Sequence, residues 1–142
     1  MGSHTNVAKK KKRVLITGGH GFIGRNLSEI FDSKYFIFVP SRAELDLSDE
    51  SKVEQYIKKQ KISIIVHCAS VGGRRDTLDA ERVAEKNLRM FFNLERCLGS
   101  SGRMIFLGSG AEYDMRHYQS KMSEDYFDSH TPIDEYGFSK YV

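Results

Sequence analysis

The spacing of three glycines near the N-terminus constrains the fold of this chain more than any other feature. Gly18, Gly21 and Gly24 follow an apolar run at residues 13–17 and open a helical stripe of apolar residues at 22–31. The first glycine of such a turn permits a tight bend, the second lets a diphosphate approach the backbone, and the third lets helix and strand pack closely. Free N–H groups at the helix N-terminus favour negative charge. The sequence therefore predicts a dinucleotide-binding turn made of Gly18, Gly21, Phe22, Ile23 and Gly24.

Strand and helix patterns alternate along the rest of the chain. Short apolar, β-rich runs predict strands at residues 13–17, 35–39, 62–69 and 104–107, with a possible short strand at 44–47. Apolar residues at helical spacing predict helices at 22–31, after an N-cap at Ser48, from Ala80 to a stop at Gly99, and after an N-cap at Thr131. This alternation predicts an α/β fold, a doubly wound parallel sheet of the Rossmann type.

Length and composition fit one soluble domain. The chain has 142 residues, 39% of them hydrophobic and 29% charged, which suits a globular core. No apolar run approaches the length of a membrane span. The net charge is +3, but it becomes −2 without the basic run at residues 9–13, so the body offers no surface for nucleic acid. We expect residues 1–12 to be a basic flank and residues 13–142 to form the domain.

The two cysteines and five histidines form no recognisable metal site. Cys68 and Cys97 lie in apolar surroundings, and the histidines lack a metal-ligand spacing. We expect two buried, reduced thiols, no bound metal and a cytoplasmic location.

Three residues near the C-terminus carry a pattern suited to proton transfer. Tyr136 and Lys140 are four residues apart, so on a helix they share one face. An ammonium near a phenol stabilises the phenolate and lets the tyrosine exchange a proton with a substrate oxygen. Ser109 follows a strand, at the end where ligands of open α/β sheets bind. An exposed helix pair is the alternative, but together with the glycine turn these residues favour catalysis.

These motifs resemble the extended branch of the short-chain dehydrogenase/reductase superfamily, the NAD-dependent epimerase/dehydratase family. The turn at residues 17–24 matches its fingerprint TGxxGFIG, and residues 136–140 match its YxxxK pair. The resemblance implies that Ser109, Tyr136 and Lys140 are catalytic. It also implies further cofactor-binding positions: Asp46 and Leu47 beside the adenine, Ala69 and Ser70 at a strand end, Asn87 on a helix, and Tyr136 and Lys140.

The residues after the second predicted strand favour NADP over NAD. An NAD site usually carries an acid there to hold the ribose hydroxyls, but this sequence has Ser41 and Arg42. Arg42 suits a 2′-phosphate, and Ser41 can add a hydrogen bond. Arg25 is a second candidate for the phosphate. Glu44 is a rival acid for the ribose, which keeps NAD open.

Residues 41–47, 69–73 and 106–109 resemble the nucleotide-sugar reductases, above all the GDP-fucose synthase group, and this resemblance implies their reaction. That group uses a cysteine two residues after the serine for epimerisation, and here this residue is Ala111. Sugar dehydratases carry Asp-Glu directly after the catalytic hydroxyl residue, and here Gly110 and Ala111 follow Ser109. A reductase or 4-epimerase of a nucleotide-linked 4-keto sugar is thus implied. The alternative is a non-catalytic dinucleotide-binding module, or an inactive fragment of such an enzyme.

The resemblance also sets an expectation for the end of the chain. The family places its sugar-binding lobe mostly after the YxxxK helix, so we expect the sheet to lack its last strand or strands and the substrate lobe. We therefore expect fraying beyond residue 112, poorly positioned Tyr136 and Lys140, and a homo-oligomer that covers the exposed sheet edge.

Overall fold

Four parallel strands form one sheet in this computed structural model, which describes residues 11–73, 79–99 and 102–142. The strands are β1 (Arg13–Thr17), β2 (Phe36–Phe38), β3 (Ile64–His67) and β4 (Arg103–Phe106). Their order in the sheet is β2-β1-β3-β4, and every neighbouring pair is parallel. The predicted α/β parallel sheet is confirmed. Most of the predicted basic flank, residues 1–10, lies outside the described residues.

Four helices connect and follow the strands. They are α1 (Phe22–Phe31), α2 (Glu50–Gln60), α3 (Val83–Glu95) and α4 (Glu135–Tyr141). Three single 3-10 turns, at Gly110–Glu112, Met115–His117 and Glu124–Tyr126, lie between β4 and α4. The segment between β4 and α4 therefore contains short turns and no helix of greater length.

The two faces of the sheet bury separate clusters of apolar side chains. Leu15 and Ile65 face a core that α2 and α3 complete through Val53, Ile57 and Leu94. The neighbouring strand residues point the other way, as the two-residue period of a strand requires. Val14, Ile16 and Val66 pack there with partly buried residues of α1, among them Leu27 and Phe31. Helices cover both faces, so the sheet is doubly wound.

The strand order reverses beside β1, and this reversal positions the candidate site. β2 lies on one side of β1 and β3 on the other, so the chain runs outward from β1 to β2 and then crosses back past β1 to β3. A crevice opens between such strands at their carboxyl ends. In this chain those ends are Thr17 and His67, which are paired in register.

Several predicted boundaries are wrong, for local reasons. Residues 44–47 do not form the expected short strand, because the chain turns at residues 42–44, where the N–H groups of Glu44 and Leu45 both donate to the Ser41 carbonyl. Asp49 caps α2 instead of Ser48, and Asp134 caps α4 instead of Thr131. The third helix ends at Glu95, short of Gly99. The strands around residues 36–38 and 64–67 are shorter than expected.

Two further observations concern the cysteines and the membrane. Cys68 and Cys97 are free thiols, and each is only partly buried, so the expectation of buried thiols is met in part. Burial raises the pKa of both thiols, which favours their protonated forms. Within the described residues, no helix has the length and apolar character needed to cross a membrane.

Candidate active site

A cavity of about 400 Å³ opens at the carboxyl ends of β1 and β3, and we call it the larger cavity. Its volume lies within the usual range for a small-molecule site. Four segments surround it: the glycine turn, the loop after β2, the loop after β3 and α3. Its lining includes seven residues predicted to bind a cofactor: Gly18, Gly21, Arg42, Asp46, Leu47, Ala69 and Ser70.

In the part of the chain that the structure describes, no side chain caps the N-terminus of α1. Its N-cap residue is Gly21, and its first turn carries no acidic residue. By contrast, Asp49 and Asp134 cap α2 and α4 with their carboxylates. The first N–H groups of α1 and the positive end of its dipole are thus left for an anion, as a phosphate site requires.

Close backbone packing shapes the glycine turn. Gly18 has a φ of +63°, and a Cβ there would lie 2.7 Å from the backbone nitrogen of Ala69. A Cβ at Gly24 would lie 2.5 Å from the carbonyl oxygen of Gly18. Only glycine fits both positions without a shift. Phe22 and Ile23 expose 79% and 51% of their surface and do not line the larger cavity, so a contact from them would come from the backbone.

The charged groups around the larger cavity suit a polyanionic ligand. His20, Arg42 and Lys86 line it with basic groups, and Asp46 is the one acid among the described residues that line it. Both the N–H and the hydroxyl of Ser48 donate to Asp46 Oδ1, at 2.9 and 2.7 Å, and these bonds lower its pKa. Glu44, the rival for the ribose, instead accepts hydrogen bonds from Ser41.

The residues present therefore fit a dinucleotide. An uncapped helix N-terminus faces the larger cavity, the lining acid is already hydrogen-bonded, and Arg42 is exposed on the rim. Arg25 does not line the larger cavity, and neither do Ser41, Gly24 and Asn87.

Tyr136 lies against the loop after β3. Gly73 has a φ of +75°, and a Cβ there would lie 2.5 Å from Cζ of the Tyr136 ring. The N–H of Gly73 donates to Asp79 Oδ1 at 2.8 Å. The loop backbone thus passes within contact of the phenol ring, where only glycine leaves room for it.

Lys140 lies one turn after Tyr136, and backbone and aromatic contacts hold it in place. Its Nζ donates to the carbonyl oxygen of Leu107 at 3.0 Å and lies 4.4 Å from the centre of the Phe106 ring. The distance from Nζ to the centre of the Tyr136 ring is 5.7 Å. Burial lowers the pKa of Lys140. The predicted shared face of Tyr136 and Lys140 is present, and the expected poor positioning of Lys140 is wrong.

A buried histidine connects the glycine turn to the surroundings of Lys140. His67 Nδ1 shares a hydrogen bond of 2.7 Å with the hydroxyl of Thr17, and the N–H of Ala69 donates to the same oxygen at 3.3 Å. Burial, aided by the charge of Lys140, lowers the pKa of His67 to about 4. A neutral imidazole therefore lies beside the lysine at neutral pH. The sequence analysis missed His67 as a site residue, although its place at the end of a buried strand is a signal.

Ser109 lies just beyond β4, at the carboxyl edge of the sheet. Its hydroxyl accepts a hydrogen bond of 3.2 Å from the N–H of Ala111 and caps the turn Gly110–Glu112. That turn packs on α4, where a Cβ at Gly137 would lie 2.6 Å from the carbonyl oxygen of Ala111. The structure thus brings the segment after Ser109 into contact with the helix that carries Tyr136 and Lys140.

Asn87 joins three segments of the site. Its side chain accepts a hydrogen bond from the N–H of Val71 and donates to the carbonyl oxygen of Val71, at 2.8 and 3.0 Å. It also donates to Ser139 Oγ at 3.1 Å. Asn87 thus fixes the loop after β3 and α4, while its assignment as a cofactor contact stays a prediction.

The larger cavity also has lining residues that sequence reasoning missed. These are Thr17, His20, Pro40, Leu45, Ser48, Val71, Lys86 and Met90. Lys86 and Met90 were detectable in principle, because they lie four apart on α3 and so share a face. Pro40, Leu45 and Ser48 line it because of how the loop after β2 folds.

Comparison with known proteins assigns the family. A sequence model described as the NAD dependent epimerase/dehydratase family matches residues 14–142, and the chain belongs to this family. The resemblance seen in the motifs is confirmed. GDP-L-fucose synthase of Azorhizobium caulinodans is 45% identical over 65 residues, which are 45% of this chain and 21% of that protein. GDP-L-colitose synthase of Yersinia pseudotuberculosis is 30% identical over 118 residues, which are 80% of this chain and 38% of that protein.

Solved structures share the fold at lower identity. GDP-mannoheptose C4 reductase from Campylobacter jejuni with NADP bound has a TM-score of 0.79 and 22% identity, over 94% of this chain and 42% of that chain. dTDP-4-dehydrorhamnose reductase from Bacillus anthracis in complex with NADP has a TM-score of 0.73 and 24% identity, over 94% of this chain and 48% of that chain. The chain thus spans less than half the length of each relative.

Proposed function

We propose that this protein binds NADP(H) and reduces or epimerises a nucleotide-linked 4-keto sugar, with Tyr136 as the acid or base. One observation carries the proposal. Ala69 and Ser70 line the larger cavity and also a second cavity of about 160 Å³, the smaller cavity, whose lining includes Lys140. The larger cavity and Lys140 are therefore neighbours across one short stretch of backbone.

The cofactor proposal rests on the glycine turn and Arg42. The uncapped N-terminus of α1 would hold the diphosphate, and Arg42 would pair with a 2′-phosphate. Glu44 supports NADP over NAD because its carboxylate accepts hydrogen bonds from Ser41 and does not line the larger cavity. Two structural neighbours were solved with NADP.

The catalytic proposal gives each residue one role. When bound, the cofactor would supply or accept the hydride at the sugar carbon. Tyr136 would pass its phenolic proton to the sugar oxygen, or take it back in the reverse direction. Lys140, as an ammonium near the ring, would favour the phenolate form, and Ser109 would donate a hydrogen bond to the same sugar oxygen.

The substrate class is taken from the relatives. The two sequence relatives are named as synthases of GDP-linked sugars, and the two structural neighbours as reductases of GDP- and dTDP-linked sugars. Because Ala111 stands where the GDP-fucose synthase group has its epimerisation cysteine, we propose reduction ahead of epimerisation.

A titration followed by a turnover assay tests the proposal. We expect NADPH to bind more tightly than NADH in calorimetry, and absorbance at 340 nm to fall when a matching 4-keto GDP- or dTDP-sugar is added. Binding of NADPH without turnover of any sugar in the panel would favour the non-catalytic module. Failure to bind either dinucleotide would contradict both functions.

The location and assembly stay predictions from the sequence. We propose a cytoplasmic homo-oligomer, and sedimentation of the purified protein over a range of concentrations tests the oligomer. A single monomeric species at every concentration would contradict it.

A further inference from the structure

The N-terminus of α3 has an unusual N-cap. Arg82 occupies that position with a left-handed φ of 60° and makes no side-chain capping bond. An arginine side chain carries only donors, so it cannot accept a bond from the first N–H groups of the helix. An oxygen from another part of the chain must cap them, or water must.

Glu135 of α4 supplies this oxygen. Its Oε2 accepts a hydrogen bond of 3.1 Å from the N–H of Ala84, although the two residues are 51 positions apart. Ala84 is the second residue of α3, where an N-cap side chain usually bonds, and a carboxylate there also suits the helix dipole. Glu135 is the first residue of α4 and directly precedes Tyr136.

A second bond joins the same two helices one turn further along. Asn87 Nδ2 donates to Ser139 Oγ at 3.1 Å, and Ser139 Oγ in turn donates to the carbonyl oxygen of Tyr136 at 2.7 Å. Asn87 and Ser139 expose only 8% and 6% of their surface. Tyr136 therefore lies between two attachments of α4 to α3, and Glu135 makes the one at the start of the helix.

We propose that Glu135 is a positioning residue for Tyr136. Its carboxylate caps α3 and thereby holds the first turn of α4, so that the Tyr136 ring stays against Gly73. Without this bond α4 keeps its attachment through Ser139 and pivots about it. The catalytic part of this inference rests on the proposed function; the structural part does not.

Two substitutions separate the hydrogen bond from the charge. Glu135→Ala removes both, whereas Glu135→Gln removes the charge and keeps an oxygen that can accept from Ala84. The matched control is Glu85→Ala, which removes a carboxylate from the first turn of α3 that pairs with Arg82 and Arg89 of the same segment. In the turnover assay we expect Glu135→Ala to lower kcat about tenfold, with KM and NADPH affinity within twofold. Glu135→Gln should recover most of kcat, and Glu85→Ala should match the parent.

Nuclear magnetic resonance of the full chain supplies a readout independent of turnover. We expect Glu135→Ala to speed hydrogen exchange at the Ala84 amide about tenfold and to shift the ring resonances of Tyr136, while Glu135→Gln and Glu85→Ala change neither. Unmoved Tyr136 resonances in Glu135→Ala would overturn the inference, and so would equal loss of kcat in Glu135→Ala and Glu135→Gln. If no sugar is turned over, the proposed function fails, and the resonances alone decide whether Glu135 positions Tyr136.

Discussion

The glycine turn between β1 and α1 and the helix α4 border the same stretch of backbone, but different forces hold them in place. Backbone contacts shape the turn: Gly18 packs against Ala69, and Gly24 packs against Gly18. Side-chain hydrogen bonds hold α4, through Glu135 to α3 and through Lys140 to the carbonyl oxygen of Leu107. An added Cβ should therefore disrupt the glycine turn. Loss of a hydrogen-bonding side-chain atom should instead displace α4.

The same contrast separates binding from chemistry. An uncapped helix end binds an anion through its backbone N–H groups, so no particular side-chain functional group is needed there. Proton transfer needs one functional group at one place, so the residues around Tyr136 and Lys140 must keep both identity and position. Substitutions in the two regions should thus give different signatures.

Tyr136→Phe should produce the largest effect, and it should change the chemistry at α4 without changing the glycine turn. In protein that turns over a 4-keto sugar, loss of the phenolic proton should lower kcat by roughly 10²–10⁴-fold. NADPH affinity should change little, because Tyr136 does not line the larger cavity. Tyr118→Phe, at a tyrosine that is 59% exposed, is the control. Turnover at the parent rate in Tyr136→Phe would remove this residue from the mechanism.

Gly18→Ala should disrupt the glycine turn only because the turn has no room for a Cβ. The added Cβ would lie 2.7 Å from the Ala69 nitrogen at a φ of +63°, so strain and overpacking should lower the free energy of unfolding by about 3 kcal/mol. NADPH binding should weaken as well. Gly110→Ala is the matched control, because a Cβ there meets nothing within 4 Å. Equal denaturation midpoints for the two variants would contradict this account of the turn.

His67 lies between the glycine turn and Lys140, and it should make the free energy of unfolding depend on pH. Its pKa is about 4 in the folded chain against an ordinary value of 6.5, because burial disfavours the imidazolium. Between these values the unfolded chain binds a proton that the folded chain does not, so stability is complete above pH 6.5 and falls as the pH falls towards 4. The free energy of unfolding should decrease by about 2 kcal/mol from pH 7 to pH 5.

Denaturant titrations of the parent and of His67→Gln test this dependence. The variant should lose most of the decrease between pH 7 and pH 5. Asp114, whose pKa is about 2 because Arg116 bonds its carboxylate, loses its contribution only at lower pH and does not interfere. An unchanged slope in the variant would show that His67 is not the titrating group.

Sequence reasoning predicted the features that depend on local pattern. The glycine spacing, the strand and helix patterns and the four-residue step from Tyr136 to Lys140 each involve residues close together in the sequence, so short-range periodicity was enough. The predicted helix starts were wrong because a nearby aspartate makes the capping bond. Asp49 is the N-cap instead of Ser48, and Asp134 is the N-cap instead of Thr131.

What the sequence could not predict are contacts across the fold. Glu135 and Ala84 are 51 positions apart, and Thr17 and His67 are 50 positions apart, so no periodicity connects them. Residues 44–47 misled in another way: Leu45 and Leu47 alternate with polar residues as in a strand, yet both are buried in the core without forming one. Tertiary packing decided both cases.

Arg42→Ala should give the smallest effect. It tests whether the site beside the glycine turn selects NADPH over NADH. Arg42 is exposed on the rim of the larger cavity, so its pairing with a 2′-phosphate should be partly screened by solvent. We expect NADPH affinity to fall about tenfold, which is 1.4 kcal/mol, and NADH affinity to stay unchanged.

Glu44→Gln is the companion variant, because Glu44 is the rival acid and its carboxylate accepts from the N–H and the hydroxyl of Ser41. Since an amide oxygen can still accept one of these bonds, the turn at residues 41–45 should survive and neither dinucleotide should lose affinity. A selective loss of NADH binding in Glu44→Gln, with no loss of NADPH binding in Arg42→Ala, would reverse the assignment. The acid would then hold the ribose, and the preferred cofactor would be NAD.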